Sequence, residues 1–120
     1  MEMVPKKGQR WVAYGEAIPV ETGPGVTRRI LAHTDGLMCV ENLFAKGAEG
    51  PLHSHPHTQI TYVLSGAFSF TIDGETRVVR RGDTLLKENG VVHGCVCLEE
   101  GALLDIFSPM REDFIASMEG

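Results

Sequence analysis

From residue 26 onward the chain is interrupted by tight turns at short, regular intervals, and this spacing is the strongest limit on what it can fold into. Thr34-Asp35-Gly36 separates two extended segments, Val26 to Ala32 and Leu37 to Phe44. Asp73-Gly74 separates Ala67 to Ile72 from Glu75 to Val79 and is a strong two-residue hairpin signal. Turns at Ser65-Gly66, Arg81-Gly82-Asp83, Glu88-Asn89-Gly90 and Glu99-Glu100-Gly101 bound Thr58 to Leu64, Thr84 to Lys87, Val91 to Leu98 and Ala102 to Phe107. Eight or nine short strands in 120 residues predict an all-β sandwich or barrel. Only Met110 to Met118, just after Pro109, reads as a helix.

The length suits one domain, residues 1–120, with a loose arm over 1–25 and a barrel core over about 26–107. A chain of this size buries roughly two-thirds of its unfolded surface and needs no staples. The 16 acidic residues outnumber the 11 basic ones, for a net charge of −5. That balance gives no bulk attraction for nucleic acid or anionic lipid. There is no apolar run of about 18 residues and no secretory signal in Met1 to Arg10, so a cytoplasmic location is expected. Cys39, Cys95 and Cys97 then read as reduced thiols, the latter two packing as small hydrophobes.

Thr58 to Leu64 has two distinct faces: Gln59, Thr61 and Val63 on one, Ile60, Tyr62 and Leu64 on the other. The second face is wholly apolar. It calls for a second sheet, the short helix or another subunit, and a homodimer is expected.

Three of the five histidines fall in His53-Ser54-His55-Pro56-His57. On an extended segment His53 and His55 project to the same side, and imidazole is the commonest ligand for Zn, Ni, Cu and Fe ions. Gln59 follows four residues after His55, and His93 opens a later strand. A pair of histidines, a distant strand histidine and an oxygen donor can converge on one ion. Pro56 bends the chain, so His57 stays outside this set. His33 reads as a solvated turn residue.

These residues resemble the two motifs of the cupin superfamily. The first reads Gly47, His53-Ser54-His55, Gln59, Gly66, and the second Gly82, Glu88-Asn89-Gly90, His93, Cys97. Glu88 stands where the family pattern has proline, and Cys97 where it has asparagine. The resemblance implies a double-stranded β-helix, or jelly roll, with one divalent ion (Zn, Ni, Mn or Fe) held by His53, His55, Gln59 and His93. Gln59 replaces the usual glutamate. An uncharged fourth ligand leaves the ion's charge uncompensated and favours Lewis-acid over redox chemistry.

Leu103 to Phe107 carries a second set of candidates. Asp105 interrupts an apolar strand, which is costly unless the carboxylate is paired or functional. Arg111, past Pro109, could clamp a carboxylate bidentately. The plain alternative is a structural Asp105–Arg111 ion pair. The string Asp105-Ile106-Phe107-Ser108-Pro109-Met110-Arg111-Glu112-Asp113-Phe114, with His53 to Ile60, resembles a narrower family, the small cupins of pectin degradation. That resemblance implies ring opening of 4,5-unsaturated monouronates, with Asp105, Phe107 and Arg111 as functional residues. The alternatives are a cupin dioxygenase and a non-catalytic, metal-dependent binding module for small ligands.

Overall fold

The computed structural model describes residues 4–119, with side chains to residue 116. Eight strands form the body: β1 (Val20–Gly23), β2 (Val26–Thr34), β3 (Leu37–Phe44), β4 (Glu49–His53), β5 (Thr58–Ile72), β6 (Glu75–Arg80), β7 (Thr84–Lys87) and β8 (His93–Ser108). A short helix, α1 (Glu112–Glu119), follows. The fold is the expected all-β jelly roll with a C-terminal helix. No helix among the described residues is long and apolar enough to cross a membrane.

Two long strands organise the barrel. The first half of β5 pairs with the second half of β8 and with β7, and that part of β8 also pairs with β3. The second half of β5 pairs with the first half of β8 and with β6, while β4 pairs with β8 on its other side. Both strands therefore run through two facing layers. They bend where the β5–β8 register slips between Val63 and Phe68.

This corrects two expected turns. Ser65-Gly66 and Glu99-Glu100-Gly101 do not reverse the chain; they are the bends within β5 and β8. The glycines serve close approach of two backbones. A Cβ on Gly66, at φ +78°, would lie 2.5 Å from the carbonyl oxygens of Glu99 and Glu100, and one on Gly101 would lie 2.1 Å from that of Ser65. Strands β1 and β4 were not expected. β4 carries Gly50 and Pro51, and it tolerates them as an edge strand with a register slip between Gly50 and His53. His33 is buried rather than solvated: a slip between Ile30 and His33 turns it inward, and its Nδ1 meets the Leu31 carbonyl at 3.1 Å.

The core lies between the layers. Near the bend it is apolar, built on Val63, Phe68, Cys97 and Leu103, with Phe44 edge-on to Phe68 at 5.3 Å. A second cluster, Ile30, Met38, Val40 and Phe107, packs against Met110 and against Phe114 and Ile115 of α1. The helix thus covers the open end of the barrel and leaves the outer face of β5 bare. Ile60 is 46% exposed, Tyr62 40% and the neighbouring Leu86 of β7 56%.

Candidate metal centre and adjoining acid–base cavity

The open end of the barrel collects the predicted residues. His53 ends β4 and His93 begins β8, and the two are register partners. Gly94 lets these strands close up, since a Cβ there would sit 2.7 Å from the Gly50 carbonyl oxygen. The Glu88-Asn89-Gly90 turn is pinned to the histidine loop by Gly90 N–H donating to the His55 carbonyl at 2.9 Å. These local constraints bring His53, His55 and His93 together, with one ligand atom of each within 4.8 Å of the others.

The ring contacts select the nitrogens. His53 Nδ1 lies 2.7 Å from the Pro51 carbonyl, and His93 Nδ1 lies 3.1 Å from the Val91 carbonyl. A carbonyl partner fixes the proton on Nδ1 and leaves Nε2 with its lone pair free for an ion. The His55 pKa is lowered to about 4, first by burial and then by the Arg111 charge. His93 is likewise lowered to about 4, by burial and then by the Lys87 charge. Both are neutral at pH 7, which is the ligating form. Gln59 Oε1 lies 3.1 Å from His55 Nε2, so an oxygen donor faces the same point. The donor set of three imidazoles and an amide oxygen suits a first-row divalent ion. His57 stacks edge-on to His55 at 5.3 Å and takes no place in the triad.

Gln59, Asp105, Phe107 and Arg111 line one cavity of about 140 Å³ with His53 and His93. Asp105 is 5% exposed and does not pair with Arg111 as the plain alternative required. Its Oδ1 accepts from Gln59 Nε2 at 2.8 Å and from Thr61 Oγ1 at 2.5 Å. Its Oδ2 accepts from Asn42 Nδ2 at 2.6 Å. Arg111 instead holds Asp113 through Nε and Nη2, at 2.9 and 2.7 Å, and this keeps the Asp113 carboxyl below its usual range. The Arg111 guanidinium stacks on Phe114 at 4.2 Å and on Phe107 at 5.3 Å.

Two residues of this cavity, Asn42 and Lys87, were not anticipated, nor was Thr61 as the buried polar partner of Asp105. Lys87 is 2% exposed, its Nζ donating to Thr61 Oγ1 at 2.7 Å and lying 4.4 Å from the Phe70 ring centre. Burial pulls its pKa below the usual lysine value. A strict inward alternation over Gln59, Thr61 and Val63 was the one available signal for Thr61.

A jelly-roll barrel with an inward histidine triad at its open end is the architecture of a cupin. The chain matches the cupin domain family over residues 41–107 and belongs to it. It is 46% identical over 97 residues to the pectin degradation protein KdgF of Dickeya dadantii, covering 79% of this chain and 88% of that protein. Among solved structures, an RmlC-like cupin from Shewanella frigidimarina superposes with a TM-score of 0.87 at 38% identity, covering 90% of this chain and 97% of that one. KdgF from a Halomonas species superposes at 0.84 with 37% identity, covering 88% and 98%.

Proposed function

We propose that this cupin opens the ring of 4,5-unsaturated monouronates, acting in pectin or alginate breakdown as a cytoplasmic, single-domain, metal-dependent enzyme. One observation carries the reading: Asp105, Phe107 and Arg111 share a single cavity with His53 and His93 of the histidine triad in a chain similar to KdgF. The cavity's 140 Å³ is below the roughly 300–1,000 Å³ of drug-sized pockets and suits one sugar ring rather than an oligosaccharide.

The substrate is an enol ether: C5 is bonded to the ring oxygen, double-bonded to C4, and bears the carboxylate. Ring opening moves one proton from the C1 hydroxyl to C4. The C1–O bond to the ring oxygen breaks, C1 becomes an aldehyde, and the released C5 enol becomes a ketone. No oxidant or reductant enters. An ion held by His53, His55, Gln59 and His93 would supply Lewis-acid polarisation of a substrate oxygen. Asp105 carries the proton. An ionised carboxylate has about four acceptor sites, and three are occupied here. The free site is on Oδ2, which takes the C1 hydroxyl proton and returns it to C4. Arg111 has its Nε edge filled by Asp113. Its Nη1–Nη2 edge is left to grip the substrate carboxylate and orient the ring. Phe107 packs on the sugar face and keeps water out.

An anaerobic turnover assay on unsaturated galacturonate, following loss of the enol-ether absorbance, tests the reading. Chelator-sensitive turnover without oxygen is expected. No acceleration over buffer by the metal-loaded protein would remove this substrate and turn attention to dioxygenase or binding-module chemistry.

The bare face of Ile60, Tyr62 and Leu86 supports a homodimer. Across β7, β5 and β8 it forms an aligned apolar row, Leu86–Ile60–Ile106, which a second copy can cover with the same row about a twofold axis. Sedimentation should give a dimer that Ile60→Asp converts to a monomer; a monomeric wild type removes this assignment.

A further inference from the structure

Position 59 holds an amide where the cupin pattern has glutamate, and the polar network behind it gives a reason. Lys87 has donors only, so its 2.7 Å bond makes Thr61 Oγ1 the acceptor. The single Thr61 proton is then directed to Asp105 Oδ1. Asn42 Nδ2 donates to the other carboxylate oxygen. Every contact made to Asp105 by these groups comes from a donor, so the group facing it from position 59 must donate too. Gln59 Nε2 does so at 2.8 Å, and its Oε1 is turned toward His55. The reverse amide orientation would set an oxygen against a carboxylate and an N–H₂ against the His55 ring nitrogen. A glutamate would set two buried carboxylates face to face, which Coulomb repulsion at low dielectric penalises heavily.

We infer that Asp105, directed by the Lys87–Thr61 chain, is a positioning residue for Gln59: it fixes which amide atom faces the three histidines and so dictates that position 59 is an amide. This rests on the reading of His53, His55, Gln59 and His93 as one metal centre, and it adds a role to Asp105 beyond proton transfer. Residues 59 and 105 form a coupled pair whose charge can be exchanged but not doubled.

The test is a double-substitution cycle with Gln59→Glu, Asp105→Asn and both together. The readouts are urea midpoints of the chelator-treated proteins and Zn²⁺ affinity by chelator competition. Gln59→Glu is expected to lower the midpoint. Asp105→Asn is expected to weaken Zn²⁺ binding roughly 10-fold, the scale of losing an outer-shell partner. In the double variant the new amide at position 105 donates to the new carboxylate at position 59, and Thr61, which can accept as well as donate, accommodates the exchange. Its midpoint should rise above that of Gln59→Glu, and its Zn²⁺ affinity above that of Asp105→Asn. Simple additivity in both readouts overturns the inference. Non-additive midpoints in a chain whose wild type binds no Zn²⁺ would remove the metal centre and still support the pair. Should the double variant not fold, the wild-type Gln59 side-chain amide decides by NMR. Slowly exchanging protons that persist on Zn²⁺ addition support the orientation, and exchange as fast as exposed amides overturns it.

Discussion

The two ends of the barrel are built from the same two strands and hold opposite interiors. At the closed end, where β5 and β8 bend past each other, the inward side chains are Val63, Phe68, Cys97 and Leu103, and the interior is apolar. At the open end, the inward positions are Gln59 and Thr61 on β5, His93 and Asp105 on β8, and Lys87 on β7. One alternation of residues thus produces a packed core and a buried polar cluster a few positions apart. The polar end is tolerated because its groups satisfy one another: Lys87 bonds Thr61, and Asp105 accepts from Thr61, Gln59 and Asn42. Burying such groups unpaired would cost several kcal/mol each. The closed end supplies stability and the open end uses it.

The sharpest separation of the two ends is kinetic. Asp105→Asn, assayed at saturating metal, should lower turnover by about 10²–10⁴-fold, the usual worth of a positioned acid–base group. Near-normal turnover would take the proton-transfer role from Asp105. At the closed end the effect should appear in stability instead. Phe68→Ala removes a fully buried ring packed on Phe44 and should cost about 3–5 kcal/mol by urea denaturation. Turnover per folded molecule should stay within a few-fold of wild type. A large loss of activity at full folding would show that the ends are mechanically coupled.

Acid should act on the open end alone. The folded-state pKa values of His55 and His93 lie near 4, below the ordinary 6.5. Groups lowered in this way bind protons better when unfolded, so their contribution is complete above about pH 6.5 and is lost as the pH falls toward 4. The chelator-treated protein should lose roughly 1–3 kcal/mol per histidine over that window. Metal affinity should fall in the same direction, because protons compete for the same nitrogens. A stability profile flat from pH 7 to 4.5 would contradict the burial of these rings.

Much of this molecule was legible before folding. Strand alternation placed Gln59, Thr61 and Val63 on one face, and that face is inward. The His-x-His spacing, with a distant strand histidine, marked three side chains that converge. Asp105 stood out as a carboxylate in an apolar strand. The two misread turns concern glycine. Gly66 and Gly101 carry turn chemistry, yet they mark places where two backbones touch, and a local pattern does not separate these uses. β4 was hidden for the related reason that an edge strand accepts the glycine and proline that a central strand would reject.

Local sequence determined most of the strands, the inward face of β5 and the candidate metal donors, because these follow from side-chain alternation and short-range spacing. Partnership was decided only in three dimensions. Arg111 chose Asp113, two residues away, over Asp105. Asp105 chose Gln59 and Thr61, across more than forty positions of chain, and Lys87 reached Thr61 from β7. Hydrogen-bond partners depend on which strands become neighbours and in what register, and that is set by how the layers close over the core.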